Sequence, residues 1–230
     1  MVIGSVGMKE VLKKNFSIYK LFWIFLFGAL FGAYYEELLN LVIHYNEHHE
    51  FVWQLRRGVL YGPISPIYGF GALLIYLVLG RKERESYKTF FYGSILGGVF
   101  EYLMSFFQEM FFGTISWNYL DEPLNINGRT TVLFAFVWGL LALFLVKVVI
   151  PKLMTVIGSL PLKYGKILSN ILIALVFLDF FLTWGSLARS IERHNGIKPI
   201  TIIGSYFDKY YPDEVIENFH KNMSVIEVKR

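Results

Sequence analysis

Residues 130–150 read TTVLFAFVWGLLALFLVKVVI and contain a single charged side chain, Lys147. An α-helix rises about 1.5 Å per residue, so a helix of this length matches the ~30 Å hydrocarbon core of a bilayer. The stretch therefore predicts a transmembrane helix.

Four further apolar stretches extend this prediction over the chain. We place the five spans at 16–43, 59–79, 89–113, 130–150 and 167–188. The composition agrees, since 55% of the 230 residues are hydrophobic and only 17% are charged, against roughly 25% in soluble domains. We expect an all-α integral membrane protein, with a polytopic helical domain over 1–188 and a polar tail over 189–230 that contains a short surface helix near 212–222.

Composition also excludes several classes of function. The sequence has no cysteine, which excludes disulfides, thiolate metal sites and cysteine nucleophiles. Its net charge of +4 comes from basic residues in short loops beside apolar spans, so it indicates membrane topology rather than nucleic-acid binding. The sequence contains no glycine-rich phosphate loop with its lysine, so any ATP hydrolysis belongs to a separate ATPase subunit. We expect no cofactor.

The basic residues predict the orientation of the spans in the lipid bilayer. From the N-terminus onward, the segments outside the spans, together with the span ends that adjoin them, carry four, two, four, one and four lysines and arginines. The positive-inside rule then places the N-terminus in the cytoplasm and, with five spans, the tail outside. Arg189, Arg193 and Lys198 lie close to the last span, which leaves a sixth crossing or an inverted protein as alternatives.

The second span opens on a proline-rich segment. Pro63 and Pro66 lie three residues apart, and each removes a backbone donor and obstructs the helical hydrogen bonding. We expect this helix to be broken, with backbone groups that face a pocket, as in transporters. Tyr61, Pro63, Ser65 and Tyr68 are therefore candidate substrate-binding residues. The alternative is a kinked helix whose freed groups are satisfied by neighbouring helices.

The third span carries a stripe of small and acidic residues. Gly93, Gly97, Glu101, Ser105 and Glu109 follow one another at intervals of four, so they share a face that packs against another helix. A charge at the depth of Glu101 costs at least ~2.5 kcal/mol. A cation, a water-filled cavity or protonation would offset that cost, and Glu101, Ser105 and Glu109 are candidate substrate-binding residues.

Asp179 and Glu101 are predicted to lie at the same depth, because each is the thirteenth residue of its span. They are candidates for one shared cavity that admits a proton, a metal cation or a cationic substrate. The alternative is that each acid is protonated and hydrogen-bonded to a neighbouring helix.

The remaining candidates lie in the half of the protein predicted to face outward. Glu36 is on the first span, and the loop after the third span carries Trp117, Asn127 and Arg129. We predict that this loop forms a lid, ordered by pairing of Arg129 with Glu109 or a loop aspartate. The alternative for Trp117 is the aromatic belt at the membrane interface.

Two other patterns are weak. His44 and His48 have a spacing that binds zinc on a helix, but no third ligand accompanies them, so we predict a solvated segment and no metal site. Glu36 and Glu37 match half of the paired-glutamate motif of membrane CAAX-type proteases, but position 40 is Asn where that motif requires arginine.

Several motifs, in this order, resemble one bacterial family. They are Gly62-Pro63-Ile64-Ser65-Pro66-Ile67-Tyr68-Gly69, Glu101-Tyr102 with Ser105, Glu109 and Phe111, Trp117-Asn118-Tyr119, Asn125-Ile126-Asn127-Gly128-Arg129, and Trp138-Gly139. Over about 20–151 the chain is similar to the family called putative ABC-transporter type IV. The resemblance implies a multi-pass permease-like protein of the bacterial cell membrane, with a possible separate ATPase subunit as partner.

Two functions follow as hypotheses. The first is a permease or substrate-capture subunit that binds a small solute in an outward-facing pocket, driven by a separate ATPase or by proton coupling through Glu101. The second is a membrane-embedded enzyme or accessory protein of the cell envelope, with Glu101 or Glu109 acting as a general base on a lipid-linked substrate.

Overall fold

Long apolar helices make up most of this computed structural model, which describes residues 18–53, 58–159, 162–219 and 224–225. The helices are α1 (Ile18–His48), α2 (Pro66–Ile75), α3 (Ser86–Phe112), α4 (Val132–Phe144), α5 (Ile150–Ser159), α6 (Leu162–His194), α7 (Ile202–Tyr210) and α8 (Asp213–Phe219). A π-helical turn, Tyr76–Gly80, extends α2, and a second one, Leu145–Val149, joins α4 to α5.

Four helical segments are long and apolar enough to cross a membrane: Ile18–His48, Ser86–Phe111, Val132–Ile157 and Tyr164–His194. A fifth apolar segment, Pro66–Gly80, is shorter. The expected all-α membrane architecture is therefore confirmed. Most helices continue past the predicted boundaries, because helical backbone hydrogen bonding does not end where the apolar sequence ends. Helix α6, for example, runs to His194 rather than to 188.

The second span differs from its predicted bounds of 59–79 in where its helix begins. Residues 58–65, which we call the broken segment, are not helical, and α2 starts at Pro66. Proline is well tolerated at this first position, because the missing N–H would have no partner in the helix. The break is confirmed, but the two prolines precede and start the helix rather than interrupt it. The Ser65 N–H donates to the Ala29 carbonyl of α1 at 3.0 Å, which holds the segment against the middle of that helix.

Close helix packing depends on glycines that face a neighbouring helix. α2 packs against α1, where a Cβ on Gly32 would overlap the ring of Tyr68. α4 packs against α3, where a Cβ on Gly97 would overlap Trp138. The small-residue stripe of α3 therefore faces α4, as its spacing predicts.

The tail contains two helices where the sequence predicted one near 212–222. α8 begins at Asp213, and residues 220–222 lie outside the described residues. The additional helix, α7, is capped by Thr201, whose hydroxyl accepts the Gly204 N–H at 3.0 Å. A capping threonine before two isoleucines is an N-terminal helix signal that the sequence analysis missed.

Short strands tie the connections together. β1 (Thr114–Ile115) follows α3 and pairs antiparallel with β4 (Ser224–Val225) in the tail. β2 (Asn125–Ile126) pairs antiparallel with β3 (Thr130–Thr131), which leads directly into α4. The connection between α3 and α4 is thus folded back on itself and held from both sides.

Candidate functional site

Glu101 is a buried carboxylate on a membrane-spanning helix. Its side chain is 6% exposed, and both of its oxygens accept hydrogen bonds from the connection between α3 and α4. The Thr130 hydroxyl donates to Oε2 at 2.7 Å, and the Tyr119 hydroxyl donates to Oε1 at 3.2 Å. The connection therefore covers Glu101. We call it the lid, and it comprises residues 113–131.

Aromatic rings and a second acid complete this group. Trp138 on α4 stacks on Tyr68 of α2, with ring centroids 5.8 Å apart. Electrostatic interactions link Tyr68 to Glu36, and Glu101 to both Glu36 and Trp138. Four helices and the connection between α3 and α4 thus converge on what we call the carboxylate–aromatic cluster, which consists of Glu36, Tyr68, Glu101, Tyr119 and Trp138.

Tyr119 acts as a neutral hydrogen-bond donor in this cluster. Burial, together with the nearby carboxylate of Glu101, raises the pKa of its phenol well above the ordinary value near 10. The hydroxyl therefore keeps its proton at any physiological pH and donates a hydrogen bond to Glu101. Its ring stacks on Phe134 at a centroid distance of 4.6 Å, which fixes the direction of the hydroxyl.

Local turns shape the lid. Asn127 and Gly128 both have positive φ, 52° and 66°, in the turn between β2 and β3, which is a conformation that asparagine and glycine tolerate. The turn carries the Gly128 carbonyl to the Tyr119 N–H at 2.8 Å, and Trp117 Nε1 donates to the Arg129 carbonyl at 2.9 Å. These bonds close the connection into a compact unit, and the Asn127 side chain donates to the Tyr102 hydroxyl of α3 at 3.0 Å.

Arg129 binds the lid to α3 at Ser105 and Glu109, one and two turns after Glu101. Its guanidinium pairs with Glu109, one of the two partners predicted from the sequence. Its Nη1 donates to the Ser105 hydroxyl at 3.2 Å. The guanidinium also lies 5.6 Å from the ring centroid of Phe106. Because the side chain is mostly buried, these contacts hold the lid more firmly than an exposed ion pair would.

Asp179 and Tyr61 lie in a separate group at α6. Asp179 Oδ1 accepts the Tyr61 N–H at 3.0 Å and the Thr183 hydroxyl at 3.3 Å. Thr183 in turn accepts the Leu60 N–H at 3.0 Å. These contacts hold the broken segment against α6, so the described hydrogen bonds of Asp179 satisfy backbone groups rather than join it to Glu101. The Tyr61 hydroxyl bonds to the Tyr211 hydroxyl of the tail at 2.9 Å.

A comparison with protein families gave a match that covers most of the helices and the site described above. A model of the family described as Putative ABC-transporter type IV matches residues 23–184. The chain belongs to this family. The match includes α1 to α5, the broken segment, the lid and most of α6. Neither a search of curated proteins nor a search of solved structures gave a match.

The candidate residues of this ABC-transporter family member thus divide into three places. Glu36, Tyr68 and Glu101 lie in the carboxylate–aromatic cluster. The lid and its attachment contain Ser105, Glu109, Trp117, Asn127 and Arg129. The broken segment contains Tyr61, Pro63 and Ser65, with Asp179 behind it.

Sequence reasoning missed two polar groups of the site. Thr130 and Tyr119 were not selected, although a polar residue directly before an apolar span is a position from which a side chain can reach into the membrane. Glu37 was passed over in favour of Glu36, yet Glu37 is the more buried of the two. Within the described part of the chain, no three histidine, aspartate or glutamate side chains are grouped to hold a metal, and His44 and His48 stack on each other.

Proposed function

We propose that this chain is the membrane permease or substrate-capture subunit of a transporter, and that it binds a small solute at the carboxylate–aromatic cluster. A separate ATPase, or proton coupling through Glu101, supplies the energy. The observation that carries the proposal is the buried Glu101 carboxylate, which accepts hydrogen bonds from two neutral hydroxyls of the lid, at 2.7 Å from Thr130 and 3.2 Å from Tyr119.

The cost of burying Glu101 supports a functional role. An acid in the hydrocarbon layer costs at least ~2.5 kcal/mol, and a well-packed apolar residue would avoid that cost. Hydroxyl groups are exchangeable partners, because a solute that carries a donor can take the place of either one. The stacked rings of Tyr68 and Trp138 add flat apolar surface beside the carboxylate, which suits an apolar or cationic part of a solute.

The lid supports a means of access. Thr130 and Tyr119 belong to one folded connection, so movement of that connection would uncover both oxygens of Glu101 together. The broken segment supports the same interpretation, since non-helical backbone at membrane depth occurs in transporters where it borders a cavity. The match to an ABC-transporter family supports a transport role and a separate ATPase.

A ligand-retention experiment tests the proposal. The protein in nanodiscs is incubated with a bacterial metabolite extract, washed, and analysed by mass spectrometry for retained small molecules. Glu101→Gln keeps the size and hydrogen-bonding capacity of a protonated acid, and the exposed Glu217→Gln is the matched control. We expect a solute that the unmodified protein and the control retain and that Glu101→Gln retains about tenfold less, since a bond to a charged group contributes about 1.5–3 kcal/mol. Equal retention by Glu101→Gln would contradict the proposal.

The same experiment distinguishes the permease hypothesis from the enzyme hypothesis. An envelope enzyme that uses Glu101 or Glu109 as a general base would release a chemically altered molecule, whereas a permease releases its solute unchanged. Comparing the mass of the bound molecule before and after prolonged incubation therefore distinguishes the two functions. Uptake into proteoliposomes, with and without a pH gradient, then distinguishes proton coupling from a requirement for an ATPase.

A further inference from the structure

The tail helix α7 has two apolar faces, one of which packs inward while the other is largely exposed. Phe207 is 3% exposed and packs inward, while Ile202 on the opposite side is 91% exposed. Ile203, Tyr206 and Tyr210 are also exposed, and they share the outer side with Ile202 at helical spacing. Such a contiguous apolar surface is unfavourable in water, because each large apolar side chain that stays exposed loses roughly 1.5–3 kcal/mol of the free energy that its burial would give.

The inner face fixes where α7 lies relative to the membrane. The ring of Phe207 packs against Gly185 of α6, at a position where a Cβ would overlap it, and lies 6.0 Å from the ring of Phe181. Gly185 precedes the end of α6 by nine residues, or about 13 Å at 1.5 Å per residue. α7 therefore lies beside the final turns of a membrane-spanning helix, rather than beyond its end.

The neighbouring surface of α6 is also apolar. Phe177, Phe181 and Trp184 are all exposed on this helix, which is long and apolar enough to cross a membrane. Tyrosine and tryptophan concentrate where hydrocarbon meets headgroups, because their rings are apolar and their polar atoms reach water. Lys209 lies over the ring of Tyr210, and a lysine in this position extends its ammonium toward the headgroups.

Ion pairs hold α7 in this position. Asp208, on the polar edge of the helix, accepts from Arg189 at 2.8 and 2.9 Å and from Arg193 at 2.8 Å. Arg193 also pairs with Asp213 at the start of α8. The charged groups thus face the end of α6, and the isoleucines are directed away from it.

We propose that α7 is an in-plane membrane-interface helix whose outer face, formed by Ile202, Ile203, Tyr206 and Tyr210, is embedded in bilayer lipid. The occupant of this face is lipid because α7 lies beside the last turns of a helix that is apolar enough to cross a membrane, and both helices expose large apolar side chains there. The tail is then a membrane anchor rather than a solvated extension. The inference does not depend on the proposed function.

This anchor is connected to the broken segment. Tyr211, at the end of α7, bonds to the Tyr61 hydroxyl at 2.9 Å, and Phe207 and Tyr211 pack with the buried Leu60. Anchoring of α7 in lipid therefore also stabilises the broken segment.

Site-directed spin labelling tests the proposal in the full chain. The sequence has no cysteine, so Ile202→Cys, Tyr206→Cys, Ser205→Cys and Glu217→Cys each give one label in nanodiscs of phosphatidylcholine. Collision with dissolved oxygen reports lipid, and collision with a neutral nickel chelate reports water. We expect the ratio of oxygen to nickel collision to be several-fold higher at Ile202→Cys and Tyr206→Cys than at Ser205→Cys and Glu217→Cys. All four native side chains are exposed, and of the four substitutions Tyr206→Cys removes ring contacts with Phe207 and Tyr211, whereas Ile202→Cys tests the same face without that loss.

Two results would overturn the proposal. A water-like ratio at Ile202→Cys and Tyr206→Cys would show that α7 is a solvated helix. Dipolar broadening between labels in nanodiscs that hold two copies, with neither oxygen nor nickel accessible, would show that a second copy of the chain covers the face.

Discussion

Thr130 Oγ1 and Glu101 Oε2 lie 2.7 Å apart, although the two residues are separated by 29 positions in the sequence. The bond joins the strand β3, directly before α4, to the middle of α3. It replaces part of the hydration that a buried carboxylate loses, and it makes the position of the lid depend on Glu101.

Removing this donor should destabilise the protein. Thr130→Val keeps the shape of the side chain but leaves one oxygen of Glu101 without its partner, which costs about 1–3 kcal/mol. Thr155→Val is the matched control, because Thr155 is exposed and its hydroxyl donates only to its own helix, at the Pro151 carbonyl. The free energy of unfolding in mixed detergent micelles measures both. An equal loss in the two variants would show that the bond to Glu101 contributes nothing specific.

The packing of α3 on α4 can be tested with two adjacent glycines. Gly97→Ala places a Cβ into Trp138, whereas a Cβ on Gly98 has its nearest neighbour at 3.2 Å, the Cβ of Ala135. Both substitutions gain the same helix propensity, about 1 kcal/mol, so the difference between them measures the overlap. We expect Gly97→Ala to be about 1–3 kcal/mol less stable than Gly98→Ala. A smaller effect at Gly97 than at Gly98 would contradict the close approach of the two helices.

Asp179 should act on the broken segment. Asp179→Ala removes the acceptor of the Tyr61 N–H and of the Thr183 hydroxyl, with an expected loss of about 1–3 kcal/mol. The exposed Asp121→Ala serves as control and should change the free energy of unfolding by less than about 0.5 kcal/mol. Hydrogen exchange should also become faster at residues 58–65 in Asp179→Ala. Unchanged exchange there would mean that other contacts hold the segment.

The tail should depend on pH through Asp208. Hydrogen bonds from Arg189 and Arg193 lower the pKa of this carboxyl to about 2, from an ordinary value of 3.8. Since the folded pKa is the lower one, its contribution to stability is present above about pH 4 and is lost as the pH falls toward 2. Asp208→Asn should therefore lower the midpoint of thermal unfolding at pH 6 and lower it by clearly less at pH 2.5. The exposed Asp121→Asn is the control; a deficit of Asp208→Asn that stays constant with pH would exclude this ion-pair explanation.

The predicted orientation remains to be measured. If the N-terminus is cytoplasmic, residues 81–85 between α2 and α3 are inside and the lid is outside. Ser86→Cys and Glu122→Cys, both at exposed positions, should then differ in intact cells. An impermeant thiol reagent should label only Glu122→Cys, and labelling of only Ser86→Cys would invert the topology.

The sequence by itself determined the membrane class, the number of apolar segments and the break before α2. These properties depend on the length of an apolar stretch and on the backbone of proline, and both act within a few turns of the chain. The stripe Gly93, Gly97 and Glu101 was predictable for the same reason, because a spacing of four residues places side chains on one helix face. The partner of that stripe was not predictable, since any of the other helices could have faced it.

Only the tertiary structure decided which polar groups meet. Asp179 and Glu101 have equivalent positions in their spans, yet one bonds to the Tyr61 backbone and the other to Thr130 of the lid. The position of α7 against α6 likewise depends on Phe207, which needs Gly185 of α6 to receive its ring. A hydrogen bond or a ring contact acts over a few ångströms in space, whatever the separation in sequence, so its partners follow from how the helices pack and not from the order of the residues.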